Sequence, residues 1–312
     1  MTSRKKIIRA ALVQQNIDTW LVSEAESVAV SQRLTERAVD DGLSRTGFKP
    51  DLCLWSESVL NYPMPEAIPR YKNPLKGSDE SLTGFIARMG FPFLVGGAVT
   101  FDAAQGKYGN ATLFFDANGE YKKYYAKMHL VPFAEVLPLT DIPLVKKFFD
   151  ALLGFSEAWT PGTEAALFEI PILGGTETVK FASPICFEDA FGYVCRELFF
   201  QGSELFVNLT NDSWSLTKSA EYQHYAIASY RAIEFRTTLA RSTNSGYSVI
   251  IDPRGIVIAD MPLFSEEYLF AEIPVYERVT TVFARADVFI YAVSLLALLM
   301  CVQMRAVSMG RR

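Results

Sequence analysis

The sequence predicts an α/β fold, with sheets layered together and helices packed outside. Three observations predict it. Short apolar runs alternate with helix-like segments along most of the 312 residues. Two turn signals, Asp116-Ala117-Asn118-Gly119 and Asp252-Pro253-Arg254-Gly255, each separate two strand-like runs and read as hairpins. No internal repeat, low-complexity tract or Pro/Gly/Ser linker breaks residues 1–275.

Taken in order, residues 7–15 (IIRAALVQQ) open the chain as a strand, and residues 23–41 follow as a helix. Residues 52–56 (LCLWS) form a second strand and residues 79–89 a short helix. Residues 93–100 and 111–115 are the next strands, the second running into the first turn signal. Residues 179–186, 205–210, 238–242, 247–251 and 268–273 supply the later strands, with helices at 191–201 and 220–235. Several strands are apolar throughout, as strands buried on both faces must be.

Half of the residues are hydrophobic and 21% are charged, which excludes a disordered chain. The net charge of −5 argues against a nucleic-acid partner. A mean hydropathy of +0.13 is high for a soluble enzyme. Much of the excess sits in residues 288–302, an uncharged run between Asp287 and Arg305. It is apolar on every face and reads as a C-terminal transmembrane helix. The basic residues after it, Arg305, Arg311 and Arg312, place the C-terminus in the cytoplasm and the body across the membrane. The expected division is therefore 1–280 as a catalytic domain and 281–312 as a membrane helix with a short basic tail. The N-terminus shows no signal-peptide core. That leaves the later part of a longer membrane protein, or a tail-anchored cytoplasmic enzyme. Residues 137–159 form a second apolar region, read as a packed amphipathic helix or as a lid beside the site.

Three segments place a reactive side chain just after an apolar strand. Glu57 follows LCLWS. Lys127 and Glu135 flank a stretch broken by Pro132. Cys186 lies at a sharp strand-to-helix turn, where a helix N-terminus would lower its pKa. Together they supply cysteine acyl chemistry: Cys186 attacks, Glu57 takes the proton, and Lys127 faces the developing oxyanion. Neither His129 nor His224 is needed, and His129 reads as a structural histidine bonded to backbone. The four cysteines show no paired spacing, so no metal site, disulfide framework or cofactor is expected.

WSES around Glu57, YYAKMHLVPFAE around Lys127 and Glu135, and ICFED around Cys186 resemble the motifs of the nitrilase, or carbon–nitrogen hydrolase, superfamily. HLVPFAEVLP, NLTNDSW and ARSTNSG resemble its apolipoprotein N-acyltransferase branch. The resemblance implies a four-layer α-β-β-α sandwich. It implies Glu57 as base, Lys127 as oxyanion stabiliser and Cys186 as the acylated nucleophile. Glu135 and Glu188 are supporting acids, and Trp20 and Asn110 match positions near a lipid pocket. The implied partners are a phospholipid acyl donor, a diacylglyceryl-lipoprotein acceptor and the bacterial inner membrane, with the catalytic domain on its periplasmic side. Members of that branch normally carry several transmembrane helices ahead of this domain. A separate multi-helix membrane portion is thus an expected partner. Phe187, Met128 and Ser215 depart from the branch's usual tyrosine, basic residue and aromatic. The competing readings are a membrane-anchored amidase and a lipid-binding pseudoenzyme.

Overall fold

The computed structural model describes residues 4–19, 21–137, 142–144, 147 and 159–309. Twelve strands among them form two six-stranded sheets. The first sheet runs β12-β1-β2-β3-β4-β5 and the second β11-β10-β9-β8-β7-β6. In the first, β1 (Arg4–Gln14), β2 (Leu52–Trp55) and β3 (Phe93–Asp102) are parallel. The antiparallel β4 (Lys107–Phe115), β5 (Tyr121–Ala126) and β12 (Glu267–Tyr276) complete it. The second repeats this plan. Parallel β7 (Glu177–Ala182), β8 (Leu205–Thr210) and β9 (Leu239–Thr243) are flanked by antiparallel β6 (Leu167–Ile172), β10 (Val249–Ile251) and β11 (Val257–Asp260).

Side-chain alternation explains why the central strands are apolar throughout. Ile8, Ala10, Leu12, Leu52, Leu54 and Leu94 join a core shared with the second sheet. Their neighbours Ala11, Val13, Cys53, Trp55, Phe93 and Val95 form the core under the outer helices α1 (Glu24–Thr46) and α3 (Leu82–Met89). Each strand therefore buries both faces. The short α2 (Ile68–Tyr71) lies between α1 and α3 in the chain. On the far side, α4 (Gly192–Phe200) and α5 (Lys218–Phe235) contribute Val194, Leu198, Ala228 and Ala232 to the shared core. The layers are α-β-β-α.

Caps set the helix bounds. Ser23 and Ser81 accept from Glu26 N and Gly84 N, so α1 and α3 start after them. Gly47 and Gly90 stop them in the left-handed region. Helix α3 thus begins at Leu82 rather than at 79. The strand expected over 179–186 ends at Ala182, because Pro184 has no amide to donate. The strands β5, β6 and β11 are absent from the sequence expectation. Each is a sheet edge with exposed residues interleaved, and β6 carries Pro171.

A helix, α6 (Ala286–Met309), does form at the C-terminus. Its side chains are described only from Val288 to Met304, a length of ~26 Å. Among the described residues no helix is long and apolar enough to cross a membrane. The expectation of a transmembrane helix is therefore not supported by the fold. Most of residues 137–159 lie outside the described residues, as does Trp20.

Gly96 on β3 shows how tightly the first sheet fixes its neighbours. A Cβ there would sit 2.3 Å from Ser56 O and 2.4 Å from Glu57 Cα. Gly96 O also accepts from the amides of Val59 and Leu60. Gly96→Ala is expected to destabilise the fold by ~1–3 kcal/mol and to displace Glu57. Denaturant unfolding would show it as a lower midpoint, and an unchanged midpoint would contradict this packing.

Candidate active site

The three sequence-predicted segments converge at the C-terminal ends of strands. Glu57 follows β2, Lys127 follows β5 and Cys186 follows β7, with Asn211 after β8. The first two come from one sheet and the last two from the other, so sheet packing assembles the site.

Lys127 is 1% exposed. Its Nζ lies 2.8 Å from Glu135 Oε1 and 3.4 Å from Glu57 Oε1. Asn110, on β4, donates to Glu57 Oε1 at 2.6 Å and to Glu135 Oε1 at 3.0 Å. The Asn211 amide donates to Glu57 Oε2, and the Val131 amide to Glu135 Oε2, both at 2.8 Å. Burial alone would lower the Lys127 pKa, but the charges of Glu57, Cys186 and Glu135 outweigh it and raise it. Lys127 is thus a fixed cation. Asn110 holds the two carboxylates together.

Cys186 opens a one-turn 3-10 helix, Cys186–Ala190, with φ +49°. A non-glycine residue there is strained and must be held by its surroundings. Asn208 on β8 does part of this, donating to the carbonyls of Pro184 and Cys186 at 3.0 Å each. The helix proper, α4, starts only at Gly192. Its dipole acts within its first turn, so the expected lowering of the thiol pKa does not occur. Burial, and then the charge of Glu57, push the Cys186 thiol well above its ordinary value, with Lys127 pulling the other way. The thiol is thus held towards its protonated form.

Glu188 is fully buried and accepts from Ile185 N at 2.8 Å, Met128 N at 2.7 Å and His129 N at 2.9 Å. Tyr125 Oη donates to it at 3.0 Å. One carboxylate therefore ties the loop after Lys127 to the turn of Cys186. Burial pushes it up to about 7, against the pull of these amides. Among the described residues the His129 ring bonds no backbone group. Its Nδ1 pairs with the Tyr193 hydroxyl, and the ring packs on Phe191.

The sequence model of the carbon-nitrogen hydrolase family matches residues 9–280. The chain belongs to the carbon-nitrogen hydrolase family. It is 46% identical over 278 residues to a Treponema denticola protein named apolipoprotein N-acyltransferase 2, covering 89% of this chain and 51% of that one. It is 31% identical to the Borreliella burgdorferi apolipoprotein N-acyltransferase, covering 94% of this chain and 54% of the relative. The chain spans about half the length of these curated relatives. The fold matches a carbon-nitrogen hydrolase from Helicobacter pylori at a TM-score of 0.60 and 16% identity, covering 86% and 89% of the two chains.

Sequence reasoning missed Asn208 and Asn211, which hold Cys186 and Glu57 from outside the three segments, and Tyr125, which lies inside the second segment and donates to Glu188. It also passed over Arg241, Asp189, Asp212 and His224, although NLTNDSW and ARSTNSG contain two of them.

Glu188→Gln would place an amide NH2 against amide donors and leave at least one unpaired. The expected cost is ~1–3 kcal/mol, seen as a lower melting temperature. A melt matching the wild type would show that Glu188 does not tie the two loops.

Proposed function

We propose that the chain moves a fatty acyl group from a phospholipid, through a thioester on Cys186, to the N-terminal α-amine of a diacylglyceryl-cysteine. The observation that carries this is its likeness to the curated acyltransferases along most of its length, with Glu57, Lys127 and Cys186 in place. In the first half, Glu57 takes the thiol proton and the sulfur attacks the ester carbonyl. Lys127 stabilises the oxyanion. The C–O bond then breaks, and Glu57 returns the proton to the leaving lysophospholipid oxygen. In the second half, the acceptor amine attacks the thioester. Glu57 takes an N–H proton as the amide forms and hands it to the departing sulfur. Acyl-enzyme in water would drift to hydrolysis, so the transfer needs an apolar, dry approach.

Exposed apolar side chains next to the reactive groups support that approach. Phe133 lies between Lys127 and Glu135 in the chain and is 65% exposed. Trp214 and Leu216 follow Asn211 and are 72% and 78% exposed. Helix α6 exposes apolar side chains from Val288 to Met304. We take it, with residues 281–312, as the segment that meets the bilayer, and residues 1–280 as the catalytic unit. The working location is the bacterial inner membrane with the catalytic unit on the periplasmic side, alongside a multi-helix membrane portion.

Mass spectrometry of the full chain after incubation with phospholipid vesicles tests the reaction. The expected result is one fatty-acyl adduct on Cys186 that a diacylglyceryl-cysteine peptide removes. Hydrolysis of small amides without an adduct, or an equal rate in Cys186→Ser, would sink the proposal.

A further inference from the structure

A ring of buried charges that the proposed reaction does not use lies behind the turn of Cys186. Arg241, on β9, is 1% exposed. Its Nη1 donates to Asp189 Oδ2 at 2.5 Å and its Nη2 to Asp212 Oδ2 at 2.8 Å. His224, on α5, closes the ring. Its Nε2 lies 3.2 Å from Asp189 Oδ1, and its Nδ1 lies 3.0 Å from Asp212 Oδ1 and 2.8 Å from Arg241 Nη2. Asp189 belongs to the same one-turn helix as Cys186, and Asp212 follows β8.

We infer that Arg241 and His224 are positioning residues for Cys186: with Asp189 and Asp212 they fasten the nucleophile's turn to the second sheet and balance the charge behind its sulfur. This rests on the reading of Cys186 as the nucleophile. A strained residue at φ +49° needs more than the Asn208 contacts to stay in place. The arginine fork suits the task, because one planar group can bridge two carboxylates. Buried carboxylates without cations would be costly, so each aspartate is matched.

The ring also faces the thiol electrostatically. Asp212 raises the Cys186 pKa from the second sheet, while Glu57, Lys127 and Glu135 act on it from the first. Around His224, burial and Arg241 favour the neutral ring. Asp189 and Asp212 outweigh them and raise the imidazole to about 9. The ring of Phe187 packs against it at 5.9 Å, and Glu221 lies one turn earlier on the same helix, paired with Ser215. Burial raises the Asp212 carboxyl, but His224 and Arg241 hold it at about 2. Arg241 thus faces the two aspartates as a permanent cation, and the aspartates draw His224 towards its charged form although its Nδ1 also lies against the Arg241 fork.

The test is the rate at which iodoacetamide alkylates Cys186 in the full chain, followed by peptide mass spectrometry across pH. His224→Gln removes the imidazole that the two aspartates draw towards its charged form, so the thiol pKa rises and alkylation at pH below that pKa slows, by up to about tenfold. Asp212→Asn removes an anion, so alkylation speeds about tenfold. Arg241→Lys keeps the charge and loses the fork, so alkylation slows with little change in its pH midpoint. A role in folding alone would not move the two charge variants in opposite directions. Shifts of the same sign, or no shift in chains that keep their circular dichroism, would overturn the inference. If Arg241→Lys does not fold, the opposed shifts still decide. Loss of acyl transfer with the opposed shifts intact would count against the lipid reading only.

Discussion

A buried ammonium holds the site together. Lys127 is almost wholly withdrawn from water, as is the carboxylate of Glu57, while that of Glu135 is partly buried. Two carboxylates this close would repel strongly in a low-dielectric pocket. Lys127 lies between them, and Asn110 with the amides of Val131 and Asn211 satisfies their remaining lone pairs. Remove the cation and the cost is several kcal/mol, because the charges left behind have no water to return to. The fold supplies this arrangement cheaply in backbone terms. Each group sits just past the end of a buried strand, where the sheet is stiff and the side chain is free to point across the gap.

The same logic recurs behind Cys186. Arg241 is matched by Asp189 and Asp212 in the second sheet as Lys127 is matched by two glutamates in the first. Glu188 joins the two halves, since it accepts amides from both the Lys127 loop and the Cys186 turn. The strained cysteine is thus gripped from its backbone, from its own turn and from across the sheet interface. Small shifts in sheet packing would reach the chemistry directly.

Much of the site was legible in sequence, and the reason is local. Glu57 follows the wholly buried β2, and Lys127 and Cys186 follow the buried last residues of β5 and β7, so reactive group and strand end lie within a few residues of each other. Asn208 and Asn211 were not legible in the same way, because Asn208 sits within β8 and Asn211 acts on Glu57 through its backbone amide. Arg241, Asp189, Asp212 and His224 come from four separate elements, so only the folded chain reveals their ring. The central strands were readable because both of their faces are buried. The edge strands β5, β6 and β11 were not, since exposed residues break their pattern. The thiol was misjudged for a geometric reason: a 3-10 turn separates Cys186 from the helix whose dipole was expected to act on it.

That separation defines the chemistry. Burial holds the thiol towards its protonated form, so in the proposed reaction Glu57 takes its proton as substrate arrives. The most direct test is the ultraviolet thiolate absorbance of the full chain at neutral pH, as a difference from Cys186→Ser. The account predicts no thiolate signal from Cys186 at rest. A full thiolate signal at neutral pH would contradict it and would mean that Glu57 has no proton to remove.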